Sequence, residues 1–264
     1  MNLIAIDIGN TNIRIGLFLE GEEKSIESVS GDCENELKTI IQSVWEKIPI
    51  SNRSKDKKRD GVIVVSSVKP QWTESVRRII EDLLQEKIML IGDNIPLPMA
   101  MWVDDPAKVG TDRCISAAAA YAVVQDAVVV VDFGTALTID LVDENGVFQG
   151  GVICPGFAIE AKALKEGTAL LPQIQVKKPD NPYGKNTADA INCGLYYGAI
   201  GTLEEVIRRY AEKIGKWPQT VLTGSSANII KDDCQFIDSY VPNLVVKGIA
   251  LAYRKYLDGK SEQS

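Results

Sequence analysis

The chain of 264 residues contains no histidine. A Ser-His-Asp triad, a phosphohistidine intermediate and a histidine-ligated metal are therefore impossible, and any general base must be Asp, Glu, Lys, Tyr or Cys. Cysteine is also scarce: the five residues are widely spaced and form no CxxC pair. This spacing argues against both a disulfide framework and a zinc site.

Long apolar runs and an excess of basic residues are missing as well. No apolar stretch approaches the length that spans a bilayer, and a strand pattern begins at Asn2 with no basic region or cleavage site before it. The net charge of −7 argues against nucleic acid and anionic membranes as partners. We therefore expect a cytoplasmic protein that binds neither membrane nor nucleic acid. Its length suits two domains of ordinary size.

Two segments of the chain are near-copies of each other. LIAIDIGNTNIRIGLF covers residues 3–18 and VVVVDFGTALTIDLV covers residues 128–142, so that Asp7 aligns with Asp132. Each segment has the pattern of a strand, a tight turn and a second strand. The turn amides and hydroxyls can face phosphate oxygens, and the carboxylate can hold a metal or its water. Asp-Gly hairpins are common, but two at half-chain spacing predict a duplicated domain with phosphate chemistry.

Strand and helix patterns alternate through the rest of the chain, which predicts an α/β architecture. Apolar residues at helical spacing predict a helix in Glu34–Ile48, and GVIVVSSV (61–68) has the pattern of a buried strand that ends in two serines. GTDRCISAAAAYAVV (110–124) is typical of a helix. Two further helices are predicted on either side of Gly198, and TVLTGSS (220–226) is predicted to be a strand that ends in a glycine turn.

Six motifs occur in a fixed order, namely DIGNT (7–11), GTDR (110–113), DFGTALTID (132–140), GGVICPG (150–156), NTADAINCG (186–194) and TG (223–224). Their order and spacing closely resemble those of the type III pantothenate kinases, also called the Bvg accessory factor family. That family belongs to the superfamily of actin, sugar kinases and heat-shock-protein ATPases. The resemblance runs from Asn2 to about Tyr256, nearly the whole chain.

The resemblance implies a duplicated ribonuclease-H-like fold, in which two α/β domains face a central cleft. We expect the first domain to span residues 1–116 and to recover the C-terminal helix, 242–258; the second spans 117–241. The implied reaction is ATP-dependent phosphorylation of the 4′-hydroxyl of pantothenate, the first step of coenzyme A biosynthesis. The implied cofactors are Mg²⁺ and a monovalent cation, K⁺ or NH₄⁺. A homodimer with the substrate site near its interface is also implied.

The resemblance assigns the phosphates and adenosine of ATP to the two turns and to one strand end. The residues concerned are Asp7, Gly9, Asn10, Thr11, Asn12, Gly134, Thr135, Thr223 and Gly224. It further implies that Asp7 lies near Mg²⁺ and that Asp132 helps to hold the monovalent cation. Taken alone, either aspartate could simply belong to a hairpin turn or cap it.

The acceptor site implied by the resemblance consists of Gly110, Thr111, Asp112, Arg113 and Thr187. Phosphoryl transfer to an alcohol needs a carboxylate that accepts the hydroxyl proton, and Asp112 is our candidate. It lies in the first turn of a predicted helix, whose dipole favours the ionised form. Arg113 could bind the pantothenate carboxylate through paired hydrogen bonds. Without the resemblance, Asp112 and Thr187 could equally be helix caps.

The chain departs from the family pattern where Val103 replaces a common tyrosine, where Asp105 replaces a common asparagine, and where Ser225 replaces a glycine. Val103 favours one alternative, a kinase of the same fold that acts on another small alcohol. A non-catalytic regulator is a second alternative, disfavoured by the intact aspartates at positions 7, 112 and 132. A filament-forming or chaperone ATPase is a third, disfavoured by the GTDR motif and the short chain.

Overall fold

The chain divides into two compact units. The first unit contains Met1–Met99, Ala107–Ala119 and Val245–Ser264, and the second contains Ala100–Pro106 and Ala120–Leu244. The computed structural model describes residues 1–51 and 58–261 of these ranges. The first unit is therefore built from three separate stretches of the sequence.

The first unit is built around a five-stranded mixed sheet. Its elements are the strands β1 (Leu3–Ile8), β2 (Asn12–Leu19), β3 (Glu22–Ser30), β4 (Val62–Ser67) and β5 (Ile88–Leu90) and the helices α1 (Glu34–Glu46), α2 (Pro70–Leu84) and α3 (Thr111–Val124). The sheet order is β3-β2-β1-β4-β5. β1 pairs antiparallel with β2 and parallel with β4, so it is the central strand. The last turn of α3, from Ala120, belongs to the second unit.

The second unit repeats this plan. Its elements are the strands β6 (Val128–Phe133), β7 (Ala136–Val142), β8 (Phe148–Pro155), β9 (Gln219–Thr223) and β10 (Ser239–Tyr240) and the helices α4 (Phe157–Glu166), α5 (Thr187–Ile214) and α6 (Ala227–Ile230). The closing helix α7 (Leu244–Ser261) follows them in the chain and belongs, from Val245, to the first unit. The sheet order is β8-β7-β6-β9-β10. It matches the first sheet when β6 to β10 take the places of β1 to β5. The central strand β6 again pairs antiparallel with β7 and parallel with β9. The predicted duplicated α/β fold is confirmed.

β1 is buried on both faces, which explains its unbroken apolar sequence. Successive side chains of a strand point to opposite faces of the sheet. Leu3 and Ala5 belong to a cluster that also contains Ile115 of α3 and Ile249 of α7. The even-numbered isoleucines of Ile4–Ile8 belong to a second cluster, which α1 and α2 cover. The sheet of the first unit is thus enclosed by helices on both sides.

α5 is one helix of 28 residues, so the predicted break at Gly198 is wrong. A glycine inside a helix costs about 1 kcal/mol relative to alanine. The burial of Tyr196, Leu203 and Ile207 against the second sheet offsets this cost. The sequence pattern at Gly198 reflects a low local propensity, which the tertiary packing overrides. Neither α5 nor any other helix in the described part of the chain is long and apolar enough to cross a membrane.

Two glycines of α7 provide a test of how closely α7 packs against α3. A Cβ added at Gly248 would lie 2.5 Å from the carbonyl oxygen of Ile115, whereas one at Gly259 would have no neighbour within 4 Å. We expect Gly248→Ala to lower the free energy of unfolding by roughly 1–3 kcal/mol, because backbone cannot easily give way. Gly259→Ala should raise it by up to about 1 kcal/mol. Urea denaturation measures both, and equal effects would contradict the close approach of α3 and α7.

Candidate active site

Asp7 is a buried acid near the end of the central strand β1. Only 3% of its surface is exposed. It faces Arg14 across the hairpin in strand register, and the Arg14 Nη1 donates to the Asp7 Oδ2 at 3.0 Å. Burial raises the pKa of Asp7 to about 6; Arg14 opposes this rise and the charge of Asp112 adds to it. A further cation beside Asp7 would therefore stabilise its ionised form.

The first turn connects β1 to β2 with exposed side chains at its tip. The Gly9 N–H donates to the Asn12 carbonyl at 3.1 Å and closes the turn. Asn10 and Thr11 are exposed at its tip, and the Gly31 N–H donates to the Thr11 carbonyl at 3.5 Å. The four predicted phosphate-binding residues of the turn thus lie together, next to Asp7 in the chain.

The beginning of α3 is tied to the end of β4. The hydroxyls of Thr111 and Ser66 are 3.0 Å apart, and the Thr111 hydroxyl lies 3.3 Å from the Ser67 carbonyl, to which it can donate. Ser66 is fully buried and pairs in register with Asp7 of the adjacent strand. The helix that carries Asp112 is therefore anchored at the strand end where Asp7 lies.

Asp112 is half-buried in the first turn of α3. Its Oδ1 accepts a hydrogen bond from the Arg113 N–H at 2.9 Å. Burial raises the pKa of Asp112 above its ordinary value, although the backbone and charge of Arg113 act in the opposite direction. A Cβ at Gly110 would lie 2.5 Å from this Oδ1, so a glycine is needed for the carboxylate to occupy its position.

The second turn reproduces the first in the other unit. Asp132 lies near the end of β6, in register with Thr223 of β9. The Gly134 N–H donates to the Ala136 carbonyl at 2.9 Å, and Thr135 is exposed at the tip. A Cβ at Gly134 would lie 3.6 Å from the Asp132 Oδ1, so the carboxylate is close to the turn backbone.

Two further glycines pack on this second turn. Gly224 has a φ of +102°, and a Cβ there would lie 2.4 Å from the Phe133 carbonyl oxygen. A Cβ at Gly156 would lie 2.4 Å from the Gly134 carbonyl oxygen. Both positions therefore exclude larger residues. Ser225 is exposed and stands where the family has a glycine. Its Oγ would lie 4.0 Å from a Cβ at Gly134, so an additional hydroxyl lies close to the turn.

The hydroxyl of Thr223 is used inside the protein. The side chain is buried, and its Oγ1 accepts from the N–H of Leu244, the first residue of α7, at 3.4 Å. Ser66 makes the equivalent contact in the first unit, because it too pairs with the aspartate of the central strand and bonds to the first residue of a helix, Thr111. The predicted nucleotide contact at position 223 would therefore fall to backbone atoms.

The remaining acceptor residue, Thr187, lies apart on its own element. It is exposed at the first position of α5. Asn186 is the helix cap, because its Oδ1 accepts from the Asp189 N–H at 2.9 Å. The alternative that Thr187 caps this helix is therefore wrong. Its hydroxyl makes no hydrogen bond within the residues that the structure describes.

No three His, Cys, Asp or Glu side chains converge on a metal site within residues 1–51 and 58–261. An ion held by one or two of these side chains would take its other ligands from water, backbone or substrate. Mg²⁺ suits this arrangement, since it usually keeps waters and binds one or two carboxylates together with substrate phosphates. Asp7 fits such a role because its carboxylate is desolvated, only partly neutralised, and adjacent to a turn with exposed side chains.

Known proteins that are similar to this chain belong to one family. The sequence profile of the type III pantothenate kinases matches residues 3–209. The type III pantothenate kinase of Agathobacter rectalis is 36% identical over 96% of this chain and 97% of its own length. That of Dehalococcoides mccartyi is 32% identical over 96% and 97%, respectively. The chain belongs to the type III pantothenate kinase family. It is therefore an enzyme of the kinase class.

Solved structures support the fold of this type III pantothenate kinase family member. A conserved Baf family protein from Campylobacter jejuni, described as a candidate transcriptional activator, has a TM-score of 0.61 at 18% identity and covers 97% of this chain and 99% of its own. A candidate 2-dehydro-3-deoxygalactonokinase from Sinorhizobium meliloti has a TM-score of 0.56 at 12% identity, with coverage of 96% and 98%. At these identities the likeness concerns the fold alone.

Beside the predicted site residues lie others that the sequence did not assign. Arg14 pairs with Asp7, and its signal was a single charge within the apolar strand IRIGLF. Ser66 anchors α3, and Gly156 packs on the second turn.

The raised pKa of Asp7 predicts a pH-dependent stability. The folded pKa of about 6 exceeds the ordinary value of 3.8, so the cost of burying the ionised carboxylate is present above pH 6 and disappears as the pH falls. In metal-free buffer, the free energy of unfolding of the wild type relative to Asp7→Asn should rise by about 2 kcal/mol from about pH 8 to about pH 4.5. Denaturant titrations measure this difference. A difference that does not change with pH would contradict the raised pKa.

Proposed function

We propose that this kinase phosphorylates the 4′-hydroxyl of pantothenate with ATP, which is the first step of coenzyme A biosynthesis. Membership of the type III pantothenate kinase family supports pantothenate as the acceptor of the phosphoryl group. The observation that carries the proposal is the placement of two carboxylates at one strand end: Asp7 is in register with Ser66, whose hydroxyl lies 3.0 Å from that of Thr111, the residue before Asp112. One is suited to hold a metal and the other to act as a base.

Asp112 is the proposed general base. The pantothenate hydroxyl oxygen attacks the γ-phosphorus of ATP, the bond to the bridging oxygen breaks, and ADP leaves with the electron pair. The Asp112 carboxylate accepts the hydroxyl proton as the new bond forms. Its raised pKa suits this task, because a more basic carboxylate is a better proton acceptor as long as it is ionised at the working pH.

Both turns are proposed to bind phosphate groups of ATP. Their exposed tip residues, among them Thr11 and Thr135, can present hydroxyls and amides to phosphate oxygens. Asp7 would hold Mg²⁺, which supplies charge neutralisation at the phosphates when bound. Asp132 would hold a monovalent cation, K⁺ or NH₄⁺. Such cations suit a protein whose net charge of −7 would otherwise repel ATP.

Arg113 is proposed to bind the pantothenate carboxylate, because a guanidinium can donate two parallel hydrogen bonds to it. Thr187 is proposed to reach pantothenate from the partner subunit of a homodimer. Two observations support a dimer through the second unit. Eight of the eleven large hydrophobic side chains that are exposed among the described residues belong to this unit. The exposed Thr187 hydroxyl makes no hydrogen bond in the described part of its own chain.

The proposal is tested by ADP release with ATP and pantothenate, in Na⁺ and in K⁺ buffers. We expect turnover that requires pantothenate and is faster in K⁺. Asp112→Asn keeps the shape of the side chain and removes its basicity, so kcat should fall by about a hundredfold or more. Gly259→Ala, in open space on α7, is the control that should leave turnover unchanged.

Each negative result has its own meaning. If sugars or other small alcohols support turnover and pantothenate does not, the acceptor is wrong and the kinase chemistry stands. If no acceptor supports turnover, the proposal that this protein catalyses phosphoryl transfer fails. Full activity of Asp112→Asn would refute the base. Equal rates in Na⁺ and K⁺ would refute the cation requirement.

Gly110 allows a separate test of the position of the base. Because a Cβ at residue 110 would displace the Asp112 carboxylate, Gly110→Ala should lower kcat by roughly tenfold or more, as small misplacements of a catalytic group are costly. The dissociation constant for ATP should stay within about twofold, because the substitution leaves the phosphate turn unchanged. Wild-type kcat in Gly110→Ala would show that the carboxylate position is not critical.

A further inference from the structure

Lys69 carries a positive charge beside the first phosphate turn. The N–H of Val68 donates to the Ile8 carbonyl at 3.1 Å, so the chain that leaves β4 runs alongside the end of β1. Lys69 follows at the N-cap of α2, and its Nζ donates to the carbonyl of Asn10, within the turn, at 3.2 Å. The ammonium group is therefore held at the turn itself.

An aromatic ring holds this lysine in place. The Lys69 Nζ lies 3.1 Å from the centroid of the Trp72 ring, one turn along α2. The ring in turn lies on Gly31, where a Cβ would be 2.1 Å from a ring carbon. The Gly31 N–H donates to the Thr11 carbonyl, so the aromatic platform and the turn share one support. Cation–π attraction favours the charged lysine at this position.

Lys69 has no carboxylate partner among the described residues. Lys38 of the same unit, by contrast, pairs with Glu34 at 2.6 Å. In a protein with more acidic than basic residues, a half-buried lysine without a counter-charge lies next to a turn of exposed polar residues. The missing counter-charge is one that an anionic ligand can supply.

We propose that the Lys69 ammonium binds an oxygen of the nucleotide polyphosphate at the first turn. One of its three donors is used by Asn10, and the others can reach a phosphate oxygen. The inference rests on the proposed function only in taking residues 9–12 as a phosphate turn; it does not depend on the acceptor. The positive charge of Lys69 would partly neutralise the β- or γ-phosphate. This contribution comes from a residue outside the two turns.

A purely structural role is the competing explanation, in which Lys69 merely tethers the Asn10 carbonyl. Two substitutions separate the roles. Lys69→Gln keeps a hydrogen-bond donor and loses the charge, whereas Lys69→Arg keeps the charge. Lys38→Gln is the matched control, because it removes one positive charge from an exposed site of the same unit.

The experiment is isothermal titration calorimetry of the full chain with Mg²⁺ and ATP, ADP or AMP, in the absence of any acceptor. We expect Lys69→Gln to weaken ATP and ADP binding by about tenfold or more, since a hydrogen bond to a charged group is lost. AMP binding should be unchanged. Lys69→Arg and Lys38→Gln should both bind ATP within about threefold of the wild type.

Wild-type ATP affinity in Lys69→Gln would overturn the proposal. An equal loss for AMP, ADP and ATP would also overturn it, because it would indicate the structural tether. If the wild type binds ATP and Lys69→Gln binds it weakly, the inference stands even where pantothenate supports no turnover. The failure of the proposed function can thus be told apart from the failure of this inference.

Discussion

The register between the central strand and its parallel neighbour is the constraint on which the candidate site residues of each unit depend. In the first unit it pairs Asp7 with Ser66, and in the second it pairs Asp132 with Thr223. Each pairing sets an acid next to a hydroxyl at the same end of the sheet. The hydroxyl then bonds to the first residue of a following helix, so a shift of register would change the position of the acid relative to that residue.

In the first unit this arrangement leads directly to the two candidate carboxylates. Ser66 anchors the first turn of α3, and that turn carries Asp112. Alternation along β1 puts Asp7 on the face that α3 covers. Burial raises the pKa of both acids, and Arg14 only partly compensates Asp7. The fold therefore keeps two carboxylates in an unfavourable environment, which is typical of functional sites that await a charged ligand.

The features that could be predicted from the sequence are local ones. The two hairpins follow from apolar runs interrupted at Asp-x-Gly, and alternating strand and helix patterns indicate the α/β class. Asp112 and Asp132 could be singled out because they lie in motifs of fixed order. These signals need no knowledge of which elements pack together.

The features that escaped prediction depend on tertiary contacts. The continuity of α5 through Gly198 is decided by packing against the second sheet. The direction of the pKa shift of Asp112 is decided by burial, which sequence position does not reveal. The role of Ser66 requires the position of α3, and that of Lys69 requires the path of the chain beside the first turn. Side chains from distant parts of the sequence meet at each of these positions.

The central claim, that the 4′-oxygen of pantothenate receives the phosphoryl group, is tested most directly by identifying the product. Phosphorus NMR of a reaction with ATP, Mg²⁺, K⁺ and pantothenate should show a new phosphomonoester whose phosphorus couples to the 4′-methylene protons, in amounts equal to the ADP formed. Inorganic phosphate as the sole new product besides ADP, or a phosphate ester at another oxygen, would contradict the account.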